Sequence, residues 1–493
     1  MSTSKNVFFT SISLFVPSIF TYIFWFLVAK TNGSGSVGIA STIASLVIIF
    51  TTIFGMDLFF GMKPSMARFF KEEDKIKYTQ VFLSIFLFLT LSSAVASIIL
   101  LYPVNLLHLI GIGDQYYWLI VFAIFLFSYQ NFFTELFIST MQAKEFFKFI
   151  LIGSLLRFPV FGLALVLFNH KDLTTVFSYY ILSFITVILS FLYTIRDLHF
   201  KDPIRNLLSD FFSILRISIS SWIPNVINVC GFWLGIIIVF SLNGSQQGGR
   251  FYIAVGIFSV ILFISSGISK VTHGVIQNVK KGDQIVYLSY SIKIALVFTL
   301  PISMSIMFFS SDFLEIIGKD FTNSKVNLSI LMLSVPFVIF SDLIYYFLYG
   351  LRYHKEVLLL GLIGNIPRVL LYFLITIVIG SDFAALGYFI GSLLQSVFSL
   401  KLGKIKPSEL DLKRKIVVCL VPLILSSILW ISHIHYILST FIIILGSFIV
   451  YIRLDLFDKS DLHKVLYSTM PNKFAISFYK VFSNCIGVIR NNK

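Results

Sequence analysis

Charge is scarce in this chain. Of its 493 residues, 12% are Asp, Glu, Lys or Arg, while 57% are hydrophobic. With a mean hydropathy of +0.92, the composition excludes a soluble globular domain. Cysteine is nearly missing as well. Cys230, Cys419 and Cys485 are scattered, two in apolar runs and one in the tail, so neither a disulfide framework nor a metal site is expected. The apolar runs are continuous and do not alternate with polar residues, which excludes barrel strands. There is no Walker A sequence, no Ser-His-Asp arrangement, no pair of carboxylates at catalytic spacing and no long outer loop. An enzyme is therefore not expected, and neither is a cofactor.

What the chain does contain is one membrane-length run after another. Crossing the hydrocarbon takes about 20 apolar residues, and the pattern predicts an all-α polytopic membrane protein with fourteen spans. These lie at about 8–29, 37–59, 80–101, 116–137, 147–168, 174–194, 214–240, 251–271, 286–309, 327–348, 357–379, 384–400, 416–431 and 436–452. The first run has no small-residue cleavage site and flows into the second, so it reads as a retained span and not as a signal peptide. A net charge of +15 would suit nucleic acid, but its placement does not. The outer loops hold only Lys30, Lys171, Arg250, Lys319 and Lys325, while the cytoplasmic side is rich in Lys and Arg. That bias predicts a cell-membrane protein, plasma or inner, with both termini in the cytoplasm and no nucleic-acid partner. Asn-x-Ser sequons at Asn32, Asn243 and Asn327 all fall on the predicted outer side.

The chain also repeats itself. Lys144 to Arg157, KEFFKFILIGSLLR, returns without a gap as Lys355 to Arg368, KEVLLLGLIGNIPR. Lys144/Lys355, Glu145/Glu356, Gly153/Gly364 and Arg157/Arg368 are identical pairs. Similar offsets relate the segment 105–111 after span 3 to 312–318 after span 9, Asp74 to Asp283, and Pro17 to Pro224. Spans 1 to 6 and 7 to 12 therefore read as two copies of one six-helix lobe. Six is an even number, so the lobes run parallel, an arrangement used by transporters that rock two halves around a central site. The expected organisation is a lobe at 1–195, a cytoplasmic linker with a short interfacial helix at 196–213, a second lobe at 214–402, two further spans at 403–452, and a basic amphipathic tail on the inner leaflet at 453–493.

Two mid-span arginines dominate the list of candidate site residues. A charge at the centre of a membrane helix costs about 2.5–3.5 kcal/mol on insertion scales and usually marks a protein interior or a wet pathway. Arg157 ends a stripe with Gly153 and Ser154, and Arg368 ends a matching stripe with Gly361, Gly364 and Asn365, each on one helical face. The competing structural account is that each arginine satisfies a buried carbonyl or carboxylate. Asn225 and Asn228 follow Pro224, which frees backbone carbonyls. Lys293 lies about two turns from an inner span end, within snorkelling reach of the surface. Asp57 and Asp342 stand near inner span ends and are charge-coupling candidates, able to neutralise an arginine or to face water. Gly33 to Gly38 matches G-x-G-x-x-G by letters, but it lacks the strand and acidic residue of a dinucleotide fold and reads as a tight outer turn.

The fourteen-span plan, Thr52-Ile-Phe-Gly-Met-Asp-Leu58 with Ala67-Arg-Phe69, Met141-Gln-Ala-Lys-Glu145, Leu300-Pro301 and Ile316-Ile-Gly-Lys319 carry a resemblance over residues 8–452. The chain resembles the lipid-linked oligosaccharide flippases of the multidrug/oligosaccharidyl-lipid/polysaccharide (MOP) exporter superfamily, the group that moves O-antigen and related polysaccharide units. The resemblance implies a polyprenyl-diphosphate-linked oligosaccharide as substrate, membrane lipids as partners, a coupling ion, and a role in surface glycan synthesis by alternating access. A cationic cleft would stabilise the diphosphate: at an effective dielectric near 20, one arginine within about 4 Å of a phosphate charge contributes on the order of 4 kcal/mol. Two alternatives stay open. One is a multidrug exporter of the same superfamily, which would need acidic residues for organic cations. The other is a membrane-embedded polysaccharide polymerase or glycosyltransferase, which would need a catalytic loop.

Overall fold

The computed structural model describes residues 3–101, 106–167, 170–199, 207–276, 280 and 282–457. Most of the predicted tail, with Cys485, and linker residues 200–206 lie outside the described residues. Among those described, every regular element is helical. Twelve helices are long and apolar enough to cross a membrane.

Two of the twelve are too long for one crossing. Phe15–Gly55 has 41 residues and Phe211–Ser269 has 59. At 1.5 Å per residue these would reach about 60 and 90 Å, against a hydrocarbon core of about 30 Å. Each is broken at a single glycine, Gly33 at φ 83°, ψ 179° and Gly244 at φ 83°, ψ 177°. That region of backbone space is open essentially to glycine alone. Each long helix is thus two crossings, which restores the fourteen expected from hydropathy. The second crossing ends at Gly55, four residues before the predicted boundary.

Contacts divide the chain into Met1–Tyr252 and Ile253–Lys493. The first unit contains α1 (Thr3–Gly55), α2 (Leu58–Lys71), α3 (Lys75–Leu101), α4 (Leu106–Ile110), α5 (Tyr117–Ser139), α6 (Ala143–Leu167), α7 (Lys171–Thr194) and the first part of α8 (Leu207–Ile276). It therefore takes in span 7, which the sequence reading assigns to the second lobe. Helices α1, α6 and α7 pack together, and α2 lies against α3 and α5. A core of Met62, Met66, Phe82, Phe132, Phe133 and Phe137 fixes the junction of α2, α3 and α5. Asp74 opens α3, accepting a hydrogen bond from the Lys77 amide at 3.1 Å.

The second unit contains α9 (Gln284–Phe308), α10 (Ser310–Ile317), α11 (Lys325–Gly350), α12 (His354–Val378), α13 (Ala385–Leu402), α14 (Leu412–Ile431) and α15 (Tyr436–Arg453). Helix α13 packs on α11 and α12, while α14 and α15 pack on α9 and on each other. The short α10 after α9 repeats the short α4 after α3, as the sequence offsets predict. Helices α6 and α12 are each 25 residues long and carry their arginine at the same, fifteenth, position.

The sequons read differently in three dimensions. Asn327 is buried, donates to the Ser381 carbonyl at 2.8 Å and accepts from the Ala385 amide at 2.9 Å. Asn32 donates to the Thr175 hydroxyl at 2.8 Å and to the Lys171 carbonyl at 3.1 Å. These two asparagines tie helix ends together; Asn243 is exposed.

Candidate functional site

Glycine determines where each arginine goes. A Cβ on Gly153 would stand 2.9 Å from the Leu182 carbonyl, and one on Gly364 would stand 2.9 Å from the Gln395 side chain. Only hydrogen at these positions lets α7 close on α6 and α13 on α12. One turn further along, the arginine is driven into the seam so formed.

Arg157 is 2% exposed. Its Nη1 donates to the Thr21 hydroxyl and its Nη2 to the Tyr179 carbonyl, both at 3.0 Å. The guanidinium also lies 5.0 Å from the Phe24 ring and 5.2 Å from the Tyr179 ring. Arg368, 5% exposed, donates to Asn365 Oδ1 at 2.7 Å and to the Ser392 hydroxyl at 3.1 Å, with its guanidinium 4.0 Å from the Tyr388 ring. In both, Nε is buried without a partner. Neither has a carboxylate within ion-pair distance among the described residues. Asp342 on α11 is near enough for the charge of Arg368 to act on it.

The arginines are therefore held by their own units through neutral partners. A hydroxyl, a carbonyl or an amide oxygen satisfies donors but leaves the positive charge whole. Ser154 turns back to the Ile150 carbonyl at 2.7 Å, which makes it part of the helix wall. Asn365 also bonds its own helix at Gly361, at 2.9 Å, while bracing Arg368.

Three of the remaining sequence candidates, Lys293, Asp57 and Asn225, line cavities, one in each unit. Lys293 lines a cavity of about 230 Å³ with Ser289, Arg414, Lys415 and Asp455, beside the start of α14 and away from the Arg368 seam. Lys415 there is buried and donates to the Ser289 hydroxyl at 2.8 Å and to the Leu410 carbonyl.

Asp57 and Asn225 come together in the first unit, in a cavity of about 220 Å³. Asn228, one turn along, does not line it. Asp57 sits past the end of the second span, in the break between α1 and α2. Met56 and Asp57 both have left-handed backbones, at φ 47° and 48°, a conformation that costs a non-glycine residue about 1–3 kcal/mol. Burial pushes the Asp57 carboxyl up to about 6, against the opposing pull of a hydrogen bond from Ser221 and of the nearby Lys63 charge. On the facing side, α5 contributes Asn131, Thr134 and Glu135, and Lys63 pairs with Glu135 at 2.7 Å. The sequence reading missed these α5 residues. Their signal was spacing: positions i, i+3 and i+4 put two polar groups and a carboxylate on one face of a Phe-rich span.

Long apolar helices thus form two contact units, each with a buried arginine and a cavity lined by polar groups. No protein-family model and no curated protein matches the sequence. Solved structures do match. The lipid II flippase MurJ, in an inward closed conformation, superposes with a TM-score of 0.65 at 16% identity, covering 90% of this chain and 98% of the flippase. An inward-facing multidrug resistance MATE transporter of the MOP superfamily gives a TM-score of 0.62 at 16% identity, with 82% of this chain and 99% of the transporter covered. A MOP superfamily transporter from Pyrococcus furiosus, described as having a binding pocket of reversed polarity, gives 0.58 at 14% identity over 83% of this chain and 96% of its own. The chain has the fold of these transporters.

Proposed function

We propose that the protein is a flippase, moving a polyprenyl-diphosphate-linked oligosaccharide from the cytoplasmic to the outer leaflet by alternating access, for cell-surface glycan synthesis. The observation that carries this reading is the repeated buried arginine. Arg157 and Arg368 keep their charge among neutral donors and acceptors in a medium that resists charge, so each unit offers a fixed positive field to an anionic head group. Direct pairing with a phosphate would use the unpartnered Nε of each. Extent adds support: the MurJ match covers 90% of this chain and the MATE match 82%. Asp57 and Asp342 are the proposed coupling groups, and the plasma or inner membrane, with both termini in the cytoplasm, is the proposed setting.

One observation favours export of organic cations instead, namely the two carboxylates of the first-unit cavity. Glu135, however, is already neutralised by Lys63. Proteoliposomes separate the two. A flippase exposes a fluorescent polyprenyl-diphosphate sugar to a membrane-impermeant quencher in proportion to protein, and does not move cationic dyes. Dye export without lipid movement would overturn the reading.

A further inference from the structure

We propose that the cavity between α1, α2, α5 and α8 in the first unit is a subsite for one sugar ring of the transported head group. The proposal rests on the flippase reading and adds to it the place where the glycan is felt. Its volume of about 220 Å³ corresponds to about seven waters at about 30 Å³ each, the room one pyranose takes.

The lining chemistry selects among ligands. A phosphate accepts hydrogen bonds only, and the carboxylates of Asp57 and Glu135 would repel it. A metal ion or an ammonium needs acceptors only, yet Glu135 is held by Lys63 at 2.7 Å, and the cavity also presents donors. A sugar hydroxyl donates and accepts at once, and so does a carboxamide. Asn131 and Asn225 bring two carboxamides to the cavity, and neither makes a hydrogen bond to another described residue. The carboxylates add acceptors, and Phe59 adds an apolar face for ring carbons. Mixed donors and acceptors around one aromatic define a neutral polyol as the ligand class.

The walls are also fixed in advance. Trp222 Nε1 donates to the Thr52 and Ile53 carbonyls at 3.2 and 3.0 Å, which locks α8 against the end of α1. The Gly61 amide donates to the Ser218 hydroxyl at 3.2 Å, which brings α2 backbone onto α8. Rigid supports of this kind hold a binding group in place without further ordering.

The test uses the full chain in detergent. Its affinity is measured for farnesyl diphosphate and for farnesyl diphosphate bearing glucose, galactose, N-acetylglucosamine or N-acetylgalactosamine. At least one sugar-bearing probe is expected to bind tenfold or more tighter than the bare diphosphate. Asn131→Ala and Asn225→Ala should each remove most of that gain and leave the bare diphosphate unchanged; Thr134→Val gives the same reading should either alanine variant fail to fold. If no sugar adds affinity, or if the gain survives these substitutions, the subsite is wrong while the flippase reading stands on the bare diphosphate. If no probe binds at all, both fall.

Discussion

A guanidinium among a threonine hydroxyl, a backbone carbonyl and two aromatic rings is both a structural brace and a charge, and substitution can separate the roles. Arg157→Ala strips the Thr21 hydroxyl and the Tyr179 carbonyl of their donor. Each buried group left unsatisfied costs about 1–3 kcal/mol. Arg157→Ala should therefore lower the midpoint of thermal unfolding in detergent. Arg157→Lys keeps the charge and should retain lipid movement in proteoliposomes, whereas Arg157→Gln, which keeps hydrogen bonding and loses charge, should abolish it. Equal flipping by the Lys and Gln variants would remove the charge from the mechanism. Asp57 carries its own pH signature. Its carboxyl is raised from 3.8 to about 6 in the folded protein, so its ionised form opposes folding at neutral pH. That penalty fades as pH falls from 6 towards 4. Asp57→Asn should unfold at a higher temperature than the parent at neutral pH, with the gap closing across that window; a gap independent of pH would contradict the assignment.

At the scale of elements, helices meet where glycines allow it. A Cβ on Gly38 would stand 1.9 Å from the Ser245 carbonyl oxygen, and one on Gly249 would stand 1.9 Å from that of Ser34. The contact is reciprocal, so the helical stretches that follow the two glycine breaks cross backbone to backbone. Gly38→Ala and Gly249→Ala should each lower the unfolding midpoint. The double variant should lose less than the sum, because either methyl group alone already separates the pair; strict additivity would show two independent sites. Much of this level was legible in the sequence. The Lys-Glu openings, the matched arginines and the Gly153 and Gly364 positions all announce α6 and α12 as copies, because a 3.6-residue period fixes what shares a face. The partners of the arginines were not legible. Tyr179 and Ser392 are set by how α7 and α13 dock, which periodicity does not encode. Nor does periodicity reveal that Lys293 faces the start of α14.

At the scale of the molecule, hydropathy gave the number of crossings and basic residues predict their direction. The first is visible in the helices, and the second has a direct test. In a chain freed of its native cysteines, Asn243→Cys should react with a membrane-impermeant maleimide on intact cells, and Lys404→Cys only after permeabilisation. The reverse pattern would invert the topology. Composition and spacing also predict the repeat, because two long segments at one offset leave little room for coincidence. The cavity between α1, α2, α5 and α8 escaped because it depends on the left-handed turn at Met56 and Asp57, which neither residue type advertises. Gly33 and Gly244 bear on how freely the chain can vary. Their torsions agree within two degrees, at positions 211 residues apart, in a conformation that no side chain tolerates. A side chain at either position would strain the break, so each long helix depends on one residue for its bend.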